Sequence, residues 1–537
     1  MPKPFIALTV VLLACVGFSL TINSATEVAG KPATETPHDN RGTRVEQVKP
    51  KPADKTASST AATGKPPSES RPNIVYIICD DLGYGDVQCL NPEHGKIPTP
   101  HMDRLASQGM TFTDSHSGSS VCSPTRYGLL TGRYSWRTRL QRGVVSGFQP
   151  CLIAEETPTV SGFLQEQGYH TAIIGKWHLD FQYLHPDTGA KLNGKEHKHT
   201  GPIGARIPDG PVHRGFDLFH GIHHARSMKA IINNDTVVEH DEVINFLPRC
   251  RQQCVDYIKS RADNEQPFFL FVPLGAPHTP IVPTTEWKGK SGLGDYGDFV
   301  MQTDDCIGEI CKALHEYNLA DDTLVICTSD NGCSRAAEIG KLAKQGHRVS
   351  AGMRGSKADI WDGGHRVPFF VRWPSHVEPG TTCEQTICHV DLFATIADIV
   401  QQPIPANSCQ DSVSFLPALS GDTINSTRPA IIHHSISGHF AIRSGKWKLA
   451  LAAGSGGWSK PNEKNVPADA PEAQLYDMSV DPGEQNNLYE AEPEIAERLL
   501  QQLKTSVYEG RSTEGPESKN DLPAEKIKLW KTVRNRP

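Results

Sequence analysis

Four short apolar runs, each followed at once by ionisable or amide residues, constrain most of what this 537-residue chain can fold into. "NIVYIIC" (73–79) runs into Asp80 and Asp81, and "HTAIIG" (170–175) into Lys176 and His178. "PFFLFVPLG" (267–275) precedes His278, and "TLVICTS" (323–329) precedes Asp330 and Asn331. The runs are rich in β-branched and aromatic residues without polar alternation, which predicts strands buried on both faces. Helical patterns lie at 101–109, 157–168, 241–261 and 299–318. That alternation predicts an α/β fold with a mostly parallel central sheet flanked by helices. In such a sheet ligands sit beyond the carboxyl ends of the strands. Four polar strand ends therefore predict one polar site.

The tail changes character. Residues 439–451 and 473–488 read as short antiparallel strands, and 492–510 as an amphipathic closing helix. A smaller C-terminal subdomain of antiparallel sheet plus helix is placed at 431–537, after a catalytic domain at 71–430. At the other end, residues 1–25 read as a secretory signal peptide, with Cys15 as a candidate lipid-attachment site. Residues 26–70, rich in Pro, Thr, Ala and Lys, read as a disordered linker. The expectation is an exported protein, periplasmic or secreted, with no stable membrane span. Export permits disulfides among the 14 cysteines, and Cys250/Cys254, Cys306/Cys311 and Cys383/Cys388 lie close in sequence. Cys79, Cys89 and Cys327, in or near apolar runs, read as buried free thiols.

The net charge of −7, with no long basic run, argues against a general nucleic-acid binder. Positive charge that meets an anionic substrate must therefore be local. Asp80, Asp81, Asp330 and Asn331 are oxygen donors, and three carboxylates in one place need a cation between them. Hard oxygen ligands favour Ca²⁺ or Mg²⁺ over zinc. Arg126, Lys176, His178, His278 and Lys357 supply the opposite sign. Two unit charges about 4 Å apart are worth about 4 kcal/mol at an effective dielectric near 20, so a few such contacts hold a doubly charged group. His220, His223, His224, His433 and His434 are candidate substrate contacts, with a solvated loop face the better reading for most of them and His434 kept as the candidate.

"SSVCSPTRYGLLTGR" (119–133) sets Cys122 before Pro124 and Arg126. Pro suits the first turn of a helix, and a helix N-terminus favours an anion. With "GKWHL" (175–179), this stretch resembles the signatures of the formylglycine-dependent sulfatases of the alkaline-phosphatase-like superfamily. "NIVYIICDDLGYGD", "APHTP", "TSDNG", "RGSKADIWDGGHRVPFFVRWP" and "QLYDMSVDPGEQNNL" follow the family's order, so the likeness spans roughly 71–510. One departure is Cys79, where Ala is more usual. The resemblance implies that a formylglycine-generating enzyme oxidises Cys122 to formylglycine (3-oxoalanine), whose hydrate attacks the sulfur of a sulfate ester. It implies Ca²⁺, ahead of Mg²⁺, on Asp80, Asp81, Asp330, Asn331 and the modified Cys122. Asp330 would activate the attacking hydroxyl, and Lys357 and His278 would protonate the leaving alcohol. His178 would deprotonate the second hydroxyl, Arg126 would hold the formylglycine, and Lys176 the sulfate. The implied substrate is a sulfated carbohydrate or an aryl sulfate. A phosphoesterase of the same superfamily and an inactive glycan-binding scaffold are the competing readings.

Overall fold

A computed structural model describes residues 71–197, 200–424, 428 and 430–529, apart from the side chain of Arg226. The expected leader at 1–25, the linker at 26–70 and Cys15 lie outside the described residues. The four sequence runs form the strands β1 (Asn73–Asp80), β2 (His170–Lys176), β3 (Phe268–Pro277) and β4 (Thr323–Ser329). They lie side by side in the order β4-β1-β3-β2, all parallel, at the centre of a ten-stranded sheet. Leu218–Ile222 continues the parallel run beyond β2, and Ala230–Asn233 and Thr236–His240 extend it antiparallel. On the other side Phe369–Arg372 pairs antiparallel with β4.

The apolar runs lack alternation because both faces of the sheet are covered. Ile74, Tyr76 and Ile78 point into one core, and Val75, Ile77 and Cys79 into the other. Helices α1 (Cys122–Thr131) and α4 (Leu392–Ile399) pack on the first face. Helices α2 (Phe246–Ser260) and α3 (Asp295–Glu316) pack on the second. The expected helix at 241–261 starts only at Phe246, which keeps Pro248 in the first turn where its missing N–H costs nothing. Helix α3 starts earlier than expected, with Asp295 and Asp298 favouring the positive end of its dipole.

Ile431–His434, Phe440–Ser444, Trp447–Ala450 and Gln474–Asp477 form a small antiparallel sheet. Helix α5 (Pro493–Tyr508) closes it with Leu499, Leu503 and Val507 against Ile442, Leu449 and Leu475. Among the described residues, thirteen cysteines are free thiols, including the three sequence-close pairs. Cys79 and Cys327 are buried as expected, but Cys89 is exposed, because it falls in a surface 3-10 turn rather than a strand. No helix among the described residues is long and apolar enough to cross a membrane.

Candidate active site

The carboxyl ends of the four central strands bring the predicted residues together. Asp80 closes β1, and the chain turns at Asp81, whose φ of 65° lies in the left-handed region. His178 (φ 58°) and Ala358 (φ 80°) have the same unfavourable backbone, so three site loops each hold a strained residue. Asp80, Asp81, Asp330 and Asn331 are all buried. The Asp81 N–H donates to Asp330 Oδ1 at 3.2 Å, and Asn331 Nδ2 donates to Asp81 Oδ1 at 2.8 Å. Asn331 Oδ1 is left buried without a hydrogen-bond partner.

The cations stand on these acids. Arg126 forks onto Asp330 Oδ2 through Nε (3.1 Å) and a terminal nitrogen (2.8 Å), and its other nitrogen donates to the Lys176 carbonyl at 2.9 Å. Lys176 donates to Asp80, and Lys357 to Asp81. His278 Nε2 lies 3.6 Å from Asp81 Oδ2. Cys122, at the first position of the wholly buried helix α1, places its Sγ 3.4 Å from Asp80 Oδ1 and 3.4 Å from Lys357 Nζ.

The electrostatics follow from burial and pairing. Burial pushes Asp80 up, but Lys176, His278 and Arg126 outweigh it and hold the carboxyl well below its ordinary range. Burial and the Asp80 charge push Asp330 up to about 7. Burial and Asp330 push the Cys122 thiol up, so the encoded group stays protonated and is a poor nucleophile. For Lys357, burial works against the charge, but Asp81 outweighs it and raises the ammonium above its usual range. Burial, then Lys176, holds His178 well below the usual histidine value. His178 Nε2 donates to the Val145 carbonyl at 3.2 Å, leaving Nδ1 buried, unpartnered and free to accept a proton.

The oxygen donors, Asp80, Asp81, Asp330 and Asn331, suit a hard divalent cation, whereas the thiol and imidazole beside them do not. Asp80, Asp81, Cys122 and His278 each offer a ligand atom within 4.8 Å of the others. The orphaned Asn331 oxygen and the mutual repulsion that raises Asp330 are what such a cation would satisfy.

Other histidines lie where the sequence did not suggest. His220, His223, His224 and His433 are buried rather than solvated. They sit on or beside strands whose Gly and His content hides them from a pattern search. His223 and His224 pack around His178, with ring centres 6.1 and 5.4 Å from it. His434 is buried, with Nε2 3.3 Å from Ser135 Oγ and its carbonyl accepting the Ser120 N–H of the loop that leads into Cys122. His116, His365 and His433 also bring nitrogens within 4.8 Å of one another. His365 and His433, however, stack face to face at 3.9 Å and 14°, so no ion can lie in the plane of both rings. Lys448 Nζ already occupies His365 Nε2 at 3.1 Å.

Comparison with known proteins agrees with this architecture. The family model described as Sulfatase matches residues 72–402, and one described as N-sulphoglucosamine sulphohydrolase, C-terminal, matches 356–512. The chain is 32% identical to an N-acetylgalactosamine-6-O-sulfatase of Bacteroides thetaiotaomicron, over 82% of this chain and 93% of that one. It is 31% identical to human arylsulfatase A, over 83% of this chain and 90% of that one. A solved structure from work on the metabolism of multiple glycosaminoglycans by Bacteroides thetaiotaomicron superposes with a TM-score of 0.69 at 29% identity. It covers 81% of this chain and 99% of that one.

Proposed function

The chain belongs to the sulfatase family and is a sulfuric ester hydrolase, and from that premise we propose that it desulfates a sulfated carbohydrate with a formylglycine made from Cys122 and a bound Ca²⁺. The observation that carries this reading is the meeting of Cys122 Sγ with Asp80 and Lys357 inside a ring of buried oxygen donors. Asp80, Asp81, Asp330 and Asn331 would hold Ca²⁺, which supplies a Lewis acid and a template for sulfate. Formylglycine supplies a hydrated aldehyde, whose paired hydroxyls allow attack on sulfur and later release of sulfate.

The chain's own groups do the rest. Asp330, held in place by the Arg126 fork, accepts the proton of the attacking hydroxyl. Lys357 and His278, on either side of Asp81, carry a proton to the leaving alcohol. Arg126 fixes Asp330 and orients the modified side chain, while Lys176 is the point charge for a sulfate oxygen. His178 takes the second proton at Nδ1. A formylglycine-generating enzyme acts before the fold closes over Cys122, and the leader directs export.

Paired rates on aryl sulfate and aryl phosphate esters test the reading; a phosphate preference overturns it. Chelation is expected to abolish turnover and to lower the unfolding temperature, because three buried carboxylates lose their counterion. Ca²⁺ should restore both better than Mg²⁺. A chelator that changes neither removes the metal from the account. His178 should remain an unprotonated base well below pH 6.5. The kcat/KM profile should then lack a step at 6.5, and His178→Gln should lower kcat by roughly 10²–10⁴-fold. A step at 6.5 that vanishes in His178→Gln contradicts the assignment.

A further inference from the structure

The buried carboxylate of Asp359 has no place in this chemistry, yet it is saturated with hydrogen bonds. It accepts the backbone N–H groups of Ser356 (3.0 Å), Trp458 (2.8 Å) and Ser459 (2.9 Å), and the Ser459 hydroxyl. Ile360 N–H adds a bond to the Ser455 carbonyl at 2.7 Å. These contacts staple the 455–459 loop of the C-terminal region to the loop that carries Lys357. The Lys357 N–H in turn donates to the Cys333 carbonyl at 3.0 Å, two residues before Arg335. The Arg335 guanidinium lies 4.8 Å over the Trp458 ring. Arg335 is exposed and Trp458 only half-buried, so the indole is held by its backbone rather than by burial of its own ring.

A third loop joins them. The Ile436 N–H donates to the Ala358 carbonyl at 3.1 Å, and the Gly143 N–H to the Ile436 carbonyl at 2.7 Å. That loop carries exposed Arg142 and, at Val145, the carbonyl that orients His178. Arg142, Arg335 and Trp458 are thus each tied, within a few residues, to the groups that move protons. Arg335 and Trp458 present a guanidinium stacked on an indole, on two loops bonded to the segment that carries Lys357. Indole faces take the C–H face of a sugar, and guanidinium takes a carboxylate or sulfate through a planar fork.

We propose that Arg335 and Trp458 form a subsite for the sugar next to the sulfated one, and that this neighbour bears a negative group. The substrate class is then an acidic oligo- or polysaccharide rather than a lone sulfated sugar or an aryl sulfate. This rests on the sulfatase reading above and adds to it which neighbour the site takes. The negative group is a uronate carboxylate or a second sulfate; both present anionic oxygens to guanidinium.

Three probes separate the cases: 4-nitrophenyl sulfate, a chondroitin 6-sulfate tetrasaccharide bearing uronate, and a carrageenan oligosaccharide bearing only sulfate. The ratio of kcat/KM on the preferred oligosaccharide to that on 4-nitrophenyl sulfate is expected to fall about tenfold in Arg335→Ala and in Trp458→Ala, through KM. Trp458→Phe and Arg335→Lys should recover part of it, and added salt should mimic Arg335→Ala. The tetrasaccharide or the carrageenan fragment, whichever is preferred, identifies the negative group. A ratio unmoved in both alanine variants, or wild-type protein that prefers the aryl ester, overturns the subsite while leaving the sulfatase reading intact. No sulfate from any probe overturns that reading, and the subsite with it.

Discussion

Cys122→Ala is expected to abolish sulfate release, by at least about 10⁴-fold, while the protein folds as before. The thiol is buried and makes only two polar contacts, each at 3.4 Å, so losing it should change stability by no more than about 1–2 kcal/mol. Its position is what makes the loss of rate large. It touches both a strand-end carboxylate, Asp80, and the candidate acid, Lys357. As encoded it is unfit for attack, because burial and Asp330 keep it protonated. The active enzyme should therefore carry an aldehyde at this position, visible as a mass change in the peptide that contains Cys122. Fully active protein with an unmodified thiol contradicts the formylglycine assignment. Turnover that survives in Cys122→Ala contradicts the nucleophile assignment itself. Cys122→Ser separates the two, since a hydroxyl can attack but cannot become the aldehyde by the same route.

The strand-end residues are legible in the sequence for a physical reason. A strand buried on both faces has no tolerance for polar residues, so the run of apolar side chains stops where the chain leaves the sheet. Asp80, Lys176 and Asp330 mark those stops. Lys357 is different: it lies in an irregular loop held by backbone bonds to Cys333 and Ser120, so no strand end marks it. The parallel strand Leu218–Ile222 escapes a pattern search because "LFHGI" interrupts its apolar run with His and Gly, and the antiparallel pair beyond it, Ala230–Asn233 and Thr236–His240, is short. His223 and His224 were misread for the same reason. Val145 serves His178 through a carbonyl, which any residue supplies, so its side chain gives no signal. Lys448, Asp362 and Glu484 were invisible because 86 and 36 residues separate the Lys from its two partners.

That last trio carries the largest stability effect. Lys448, fully buried in the C-terminal sheet, donates to Asp362 Oδ1 and Glu484 Oε1, both at 2.7 Å. Glu484 Oε2 accepts the Asp362 N–H at 2.6 Å, and its carbonyl accepts from Arg354 at 2.8 Å. Both ends of the segment that bears Lys357 are thus tied to Glu484. Lys448→Met removes the ammonium between two buried carboxylates and is expected to cost about 3–5 kcal/mol. The cost should depend on pH. Burial and Asp362 already push Glu484 up to about 7 from 4.5, against the pull of Lys448. Without Lys448 it rises further. A carboxyl whose folded value is raised binds more protons folded than unfolded, so stability falls as pH rises from 4.5 through the folded value. Urea unfolding of Lys448→Met should therefore show a larger loss at pH 8 than at pH 5.5. Lys448→Met with Glu484→Gln should recover part of the loss at pH 8, because one buried charge is gone. Equal losses at both pH values, or a loss below about 1 kcal/mol, would mean that the carboxylates reach water when the ammonium is removed. Because the trio holds the Lys357 loop from outside the central sheet, the same variant should slow desulfation in whatever fraction remains folded.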